Sequence, residues 1–128
     1  MNIKYNSLDD RAFLKKFFLL LNTMVSPDKE LTPAEVDMLI EFLCLTDDKF
    51  KYQRFGTAAK HKVIQNAKQN NWNLTSININ NKIYSLVKKE YLRRDSDGVI
   101  YVAKFITNAL QSFRDNNKFE LKIVMNGK

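Results

Sequence analysis

Apolar residues recur at helical spacing over four stretches of the chain. The first opens at Ser7, which can cap a helix, with Asp9 and Asp10 where a helix N-terminus favours negative charge. Phe13, Leu14, Phe17, Phe18, Leu20, Leu21 and Met24 then form a wide stripe, which Ser26-Pro27-Asp28 breaks. The second stretch has the plainest start signal. Thr32-Pro33-Ala34-Glu35 supplies a cap, a proline at the first helical position and a glutamate placed to close a capping box. Val36, Leu39, Ile40 and Leu43 make its apolar face, and Met38, Phe42 and Leu45 widen it. Residues 46–56 read as a loop anchored by Phe50, Tyr52 and Phe55. A third helix is predicted from Thr57 to about Asn70 on Ala59, Val63, Ile64 and Ala67, and Asn70-Asn71-Trp72-Asn73 reads as a turn with a buried tryptophan. A fourth is predicted from Thr75 or Ser76 to about Tyr91, with Ile79, Ile83, Leu86 and Val87 facing the core.

After Tyr91 the period changes. Tyr91-Leu92-Arg93-Arg94 and Val99-Ile100-Tyr101-Val102 flank Asp95-Ser96-Asp97-Gly98, the pattern of a β-hairpin around an Asp-Gly turn. Lys104 to Phe113 reads as a short helical or irregular piece, followed by a polar break over Arg114-Asp115-Asn116-Asn117. The last run alternates: Phe119, Leu121, Ile123 and Met125 face one way, and Glu120, Lys122 and Val124 the other. A strand with one apolar face must pair, with its own hairpin or with another subunit. The expected class is α+β: mainly α, with a small hairpin. The length of 128 residues fits one domain, divided into an N-terminal helix (8–25), a core (31–102) and a C-terminal helix/strand extension (103–128).

Charge sharpens this outline. Residues 1–48 hold five Lys or Arg against nine Asp or Glu, a balance of −4. Residues 49–94 hold eleven against Glu90 alone, +10, and residues 95–128 hold five against four, +1. The basic middle suits a polyanion contact, or the acidic part of a second copy. A solvated face without a partner is the plain alternative.

Other chemistry finds little material. Cys44 is the one cysteine and reads as core packing; His61 is the one histidine and reads as a surface or boundary residue. No glycine-rich phosphate loop is present, and Asp95-Ser96-Asp97-Gly98 resembles part of a calcium loop whose later glutamate is missing, with Ile106 near its place. We therefore expect no enzyme, no cofactor and no metal. Phe17-Phe18-Leu19-Leu20-Leu21 is far shorter than the roughly 20 residues of a membrane span, so no membrane partner is expected.

The order of elements resembles the winged helix-turn-helix fold. Leu31-Thr32-Pro33-Ala34-Glu35 opens one helix, Leu74-Thr75-Ser76 opens a recognition-type helix with Ile83, Leu86 and Val87 in its core, and Tyr91 to Gly98 stands where a wing would be. In DNA binders of this type the recognition helix enters the major groove and the wing touches backbone or minor groove. The resemblance implies that Asn78, Asn81, Lys82 and Ser85 face base edges, while Lys88, Lys89, Arg93 and Arg94 sit near phosphates. Lys60 and Lys62 of the preceding helix are solvent-available and extend that basic surface. Ile77 and Tyr84 share the groove-facing side and suit a protein contact as well.

A narrower resemblance joins the apolar first helix, the Leu-Thr-Pro-x-Glu helix, Arg54-Phe55-Gly56-Thr57 and Ile79-Asn80-Asn81-Lys82-Ile83-Tyr84-Ser85-Leu86-Val87-Lys88-Lys89. It is similar to small winged-helix proteins in the structural gene block of crAss-like tailed phages of Bacteroides. That implies a virion part: a ring-forming subunit of the portal, neck or tail region, made in the host cytoplasm, with copies of itself and other virion proteins as partners. The alternative is a winged-helix transcriptional regulator of the bacterial cytoplasm, contacting DNA.

Overall fold

The structure is a computed structural model that describes residues 7–45, 48–50 and 54–116. Among these, five α-helices and one two-stranded sheet follow in the order α1 (Ser7–Asn22), α2 (Pro33–Leu43), α3 (Thr57–Gln69), α4 (Ser76–Lys88), β1 (Leu92–Arg94), β2 (Ile100–Val102) and α5 (Lys104–Asn116). Short 3-10 turns lie at Pro27–Lys29 and Asp48–Phe50. The fold is mainly helical with a small antiparallel sheet, an α+β arrangement. The alternating run from Phe119 to Met125, and Tyr52, lie outside the described residues.

The helix ends explain where each element starts and stops. The Thr32 side chain accepts from the Glu35 N–H at 3.1 Å, and the Glu35 carboxylate accepts from the Thr32 N–H at 2.9 Å, closing the capping box. At the other end of α2, Arg54 donates to the carbonyls of Phe42 (3.2 Å) and Leu45 (3.0 Å), a cation placed where the helix C-terminus favours one. Helices α3 and α4 both end in a left-handed residue, Asn71 at φ 59° and Glu90 at φ 72°. The N–H of the next residue then reaches back, Trp72 to the Ala67 carbonyl at 2.8 Å and Tyr91 to the Leu86 carbonyl at 3.0 Å. This stop ends α4 at Lys88, short of the Tyr91 expected from periodicity.

Phe13, Leu14, Phe17, Phe18 and Leu21 of α1 are buried together with the inner faces of α2, α3, α4 and α5 in one cluster. Phe50 and Phe55 are buried in it, as their anchoring role requires, whereas Trp72 is only partly buried against it. Asn22 fixes the turn between α1 and α2 by a two-point bond, accepting from the Leu31 N–H at 2.9 Å and donating to the Leu31 carbonyl at 3.0 Å.

The segment after the hairpin takes the helical of the two forms expected and continues to Asn116, through most of the polar break expected from Arg114. It is a regular helix, and Phe105, Ile106, Ala109 and Leu110 are buried along one side of it. Its far end is fastened to α1 twice: Phe113 stacks on Phe13 with centroids 4.2 Å apart, and Arg114 donates to both Asp10 oxygens, at 3.3 and 2.7 Å. Asp10 thus serves as a buried counter-ion rather than as a free charge at a helix start.

Candidate interaction surface

Helix α4 is positioned by burial of Ile79, Ile83 and Leu86, and the Thr75 side chain accepts from the Asn78 N–H at its start (3.2 Å). A rotation of 100° per residue then sends Ile77, Asn81, Tyr84 and Lys88 to the opposite side, and all four are exposed. Ile77 is 72% exposed and Tyr84 64%, although each carries a large apolar surface. Asn78 is exposed beside them, and Lys82 stands half-buried on the flank.

Ser85 and Lys89 are turned the other way. The Ser85 hydroxyl donates to Glu35 Oε2 at 2.6 Å and the Lys89 ammonium to Glu35 Oε1 at 2.7 Å. Glu35 is only 4% exposed. These two residues, which the winged-helix resemblance would send to base edges and phosphates, are committed to joining α4 to α2. Burial pushes the Glu35 carboxyl up, but the bonds from Lys89, Ser85 and the Thr32 N–H outweigh burial and hold it below the usual carboxylate range.

The hairpin packs against α4 through β1. Leu92 pairs with Val102, Arg93 with Tyr101 and Arg94 with Ile100. Leu92 and Val102 face inward, so Tyr101 opposite Arg93 faces outward, where it is exposed. At the tip Gly98 adopts φ 82°, a conformation that favours glycine, and Asp95 Oδ1 accepts the N–H groups of both Asp97 and Val99 at 2.9 Å. That turn accounts for the Asp-Ser-Asp-Gly run. No His, Cys, Asp and Glu group able to hold a metal lies among the described residues.

The ion pairs locate the net charge. Asp37 takes Lys15 and Glu41 takes Arg11 through both carboxylate oxygens, so α1 and α2 neutralise part of their own acid, and Asp10 takes Arg114 of α5. Glu90 takes Lys29 at 2.6 Å. Lys60, Lys62 and Lys68 of α3, Lys82 and Lys88 of α4, and Arg93 and Arg94 of β1 have no acidic partner among the described residues. The excess positive charge is therefore displayed by α3 and α4, while Arg93 and Arg94 share the hairpin with Asp95 and Asp97.

Other chemistry-bearing groups are occupied elsewhere. Cys44 is partly buried, and burial pushes its thiol up, away from nucleophilic character. An open groove of about 290 Å³ between α2 and the α3–α4 turn is lined by Arg11, Asp37, Ile40, Glu41, Asn70 and Trp72. Its charged groups already pair with Lys15 or with one another.

Compared with known proteins, the chain matches no family model, no curated protein and no solved structure. Its functional reading rests on its own geometry. Among the described residues no helix is long and apolar enough to cross a membrane.

Proposed function

We propose that this chain is a non-enzymatic assembly module on a winged helix-turn-helix plan. Helices α2 to α4 form its three-helix part, β1–β2 is its wing, and α1 and α5 are additions that brace it. The role is that of a structural subunit in the portal, neck or tail region of a tailed-phage particle, docking through α4 and the wing onto other subunits. One observation carries this reading: Ile77 and Tyr84 are held in solvent on the outer side of a well-anchored helix. Large apolar side chains in that position suit a protein interface core, where aromatic residues are enriched and charge is depleted. Mass spectrometry of purified particles tests the role. The chain should be present at a stoichiometry of several copies per particle; its absence from particles contradicts the proposal.

The second reading, a DNA-binding regulator, is favoured by the seven cations of α3, α4 and β1 that lack acidic partners among the described residues. If they met phosphates, affinity would fall about 10³-fold or more between 50 and 200 mM salt, as six or more contacts require. A mobility-shift series in rising salt separates the two readings. Flat or absent binding at the lowest salt removes the regulator.

A further inference from the structure

The described residues carry a second exposed apolar patch, far from α4 in sequence and opposite to it in nearby charge. Leu19 and Leu20 on the last turns of α1, and Met24 just beyond, are 54%, 45% and 56% exposed. The turn that follows presents Asp28 and Glu30 to solvent. Asp28 accepts from the Ser26 hydroxyl at 2.6 Å, and neither acid pairs with a cation among the described residues. Lys16 stands one turn upstream of Leu20, at the far end of the patch. On α4, Ile77 and Tyr84 are accompanied by Lys88, with Arg94 at the hairpin ahead of the turn acids Asp95 and Asp97.

A two-fold contact that set either patch against itself would leave the other patch uncovered. A contact between the unlike patches covers both apolar surfaces and brings Asp28 and Glu30 towards Lys88 and Arg94. Such a contact joins different surfaces of two copies and is heterologous, the type that closes into rings when the rotation allows. We infer that the end of α1 in one copy docks on the α4 ridge of the next, through Leu19, Leu20 and Met24 against Ile77 and Tyr84. This inference rests on the assembly reading and specifies its partner as a second copy of this chain.

Complementation between two damaged surfaces tests it. Leu20→Asp spoils one patch and leaves the other intact; Tyr84→Asp does the reverse. Both positions are exposed, and circular dichroism with thermal melting checks folding; Leu20→Ser and Tyr84→Ser provide milder versions. In analytical ultracentrifugation the unaltered chain should associate with rising concentration, and each single variant should associate at least tenfold more weakly. An equal mixture of the two variants should form a dimer of twice 15.0 kDa and stop there, because one good pair of surfaces remains. Added salt should weaken that dimer. The inference is overturned if the unaltered chain stays monomeric at the highest concentration, or if it associates while the mixture does not. A chain that is found in particles but fails this test retains the assembly role and loses the self-docking.

Discussion

Lys89 and Glu35 meet at 2.7 Å, so the residue that closes α4 is held by the residue that completes the capping box of α2. One carboxylate completes the α2 capping box, receives the Ser85 hydroxyl and neutralises the Lys89 ammonium. The angle at which α4 presents its outer side therefore depends on a buried ion pair that is not itself part of that surface. Glu35→Ala removes one of the two bonds of the capping box and leaves a partly buried cation without its partner. The expected loss is about 3 kcal/mol, within the range for breaking a buried pair, read from urea unfolding. The double replacement Glu35→Ala with Lys89→Met should cost less than the sum of the two single changes, because it removes both charges.

The same carboxylate sets an acid limit. Its folded pKa lies below the unfolded value, so its stabilising effect is complete above the unfolded pKa of about 4.3 and is lost as pH falls through the lower folded value. Unfolding free energy measured against pH should fall across that acid range. Glu35→Gln should flatten the slope while lowering stability at neutral pH. An unchanged acid slope in the variant would assign the acid loss to other carboxylates.

Tyr91 sets the opposite limit. It is fully buried, its hydroxyl donates to the Lys29 carbonyl at 2.8 Å, and burial is the main cause that pushes its pKa up to about 12. An acid whose folded pKa is raised stabilises the fold below its unfolded pKa, about 10, and ceases to do so as pH rises through the folded value. Stability should fall above about pH 10. Tyr91→Phe should cost about 1 kcal/mol at neutral pH through the lost hydrogen bond. It should also remove this part of the alkaline decline.

The turn between α3 and α4 offers a stabilising change. Asn71 sits in the left-handed region at φ 59° and is exposed. Glycine adopts that conformation without the penalty of a Cβ, so Asn71→Gly should raise stability by a few tenths of a kcal/mol, up to about 1. Glu90→Gly relieves a similar residue but also removes the pair with Lys29, so it should give less. Thermal melting of the two variants against the parent checks the order.

Much of this fold was readable from local pattern. Thr32-Pro33-Ala34-Glu35 announced a capping box that the structure contains, Ile79, Ile83 and Leu86 announced the inner side of α4, and Gly98 announced the hairpin turn. Those signals are short-range: a cap, a period, a glycine at positive φ. The features that locate the candidate surface are long-range. Nothing in the spacing of Glu35 and Lys89 reveals that they pair, and periodicity alone sends Ser85 and Lys89 to the outer side of α4. Asp10 likewise suits a helix start in sequence, and only the fold brings Arg114 to it. Phe105, Ile106, Ala109, Leu110 and Phe113 keep helical spacing, but no local signal shows that α5 continues through Arg114 to Asn116. Its regularity depends on packing against α1 through Phe13 and Phe113.

The central claim is that the outer side of α4 is a protein-docking surface. Imaging this chain in tailed particles by electron cryomicroscopy tests it most directly. The account predicts several copies in a ring, with the side chains of Ile77 and Tyr84 buried against neighbouring protein. A chain found in the particle with both residues facing open solvent, or lying along DNA, would contradict it.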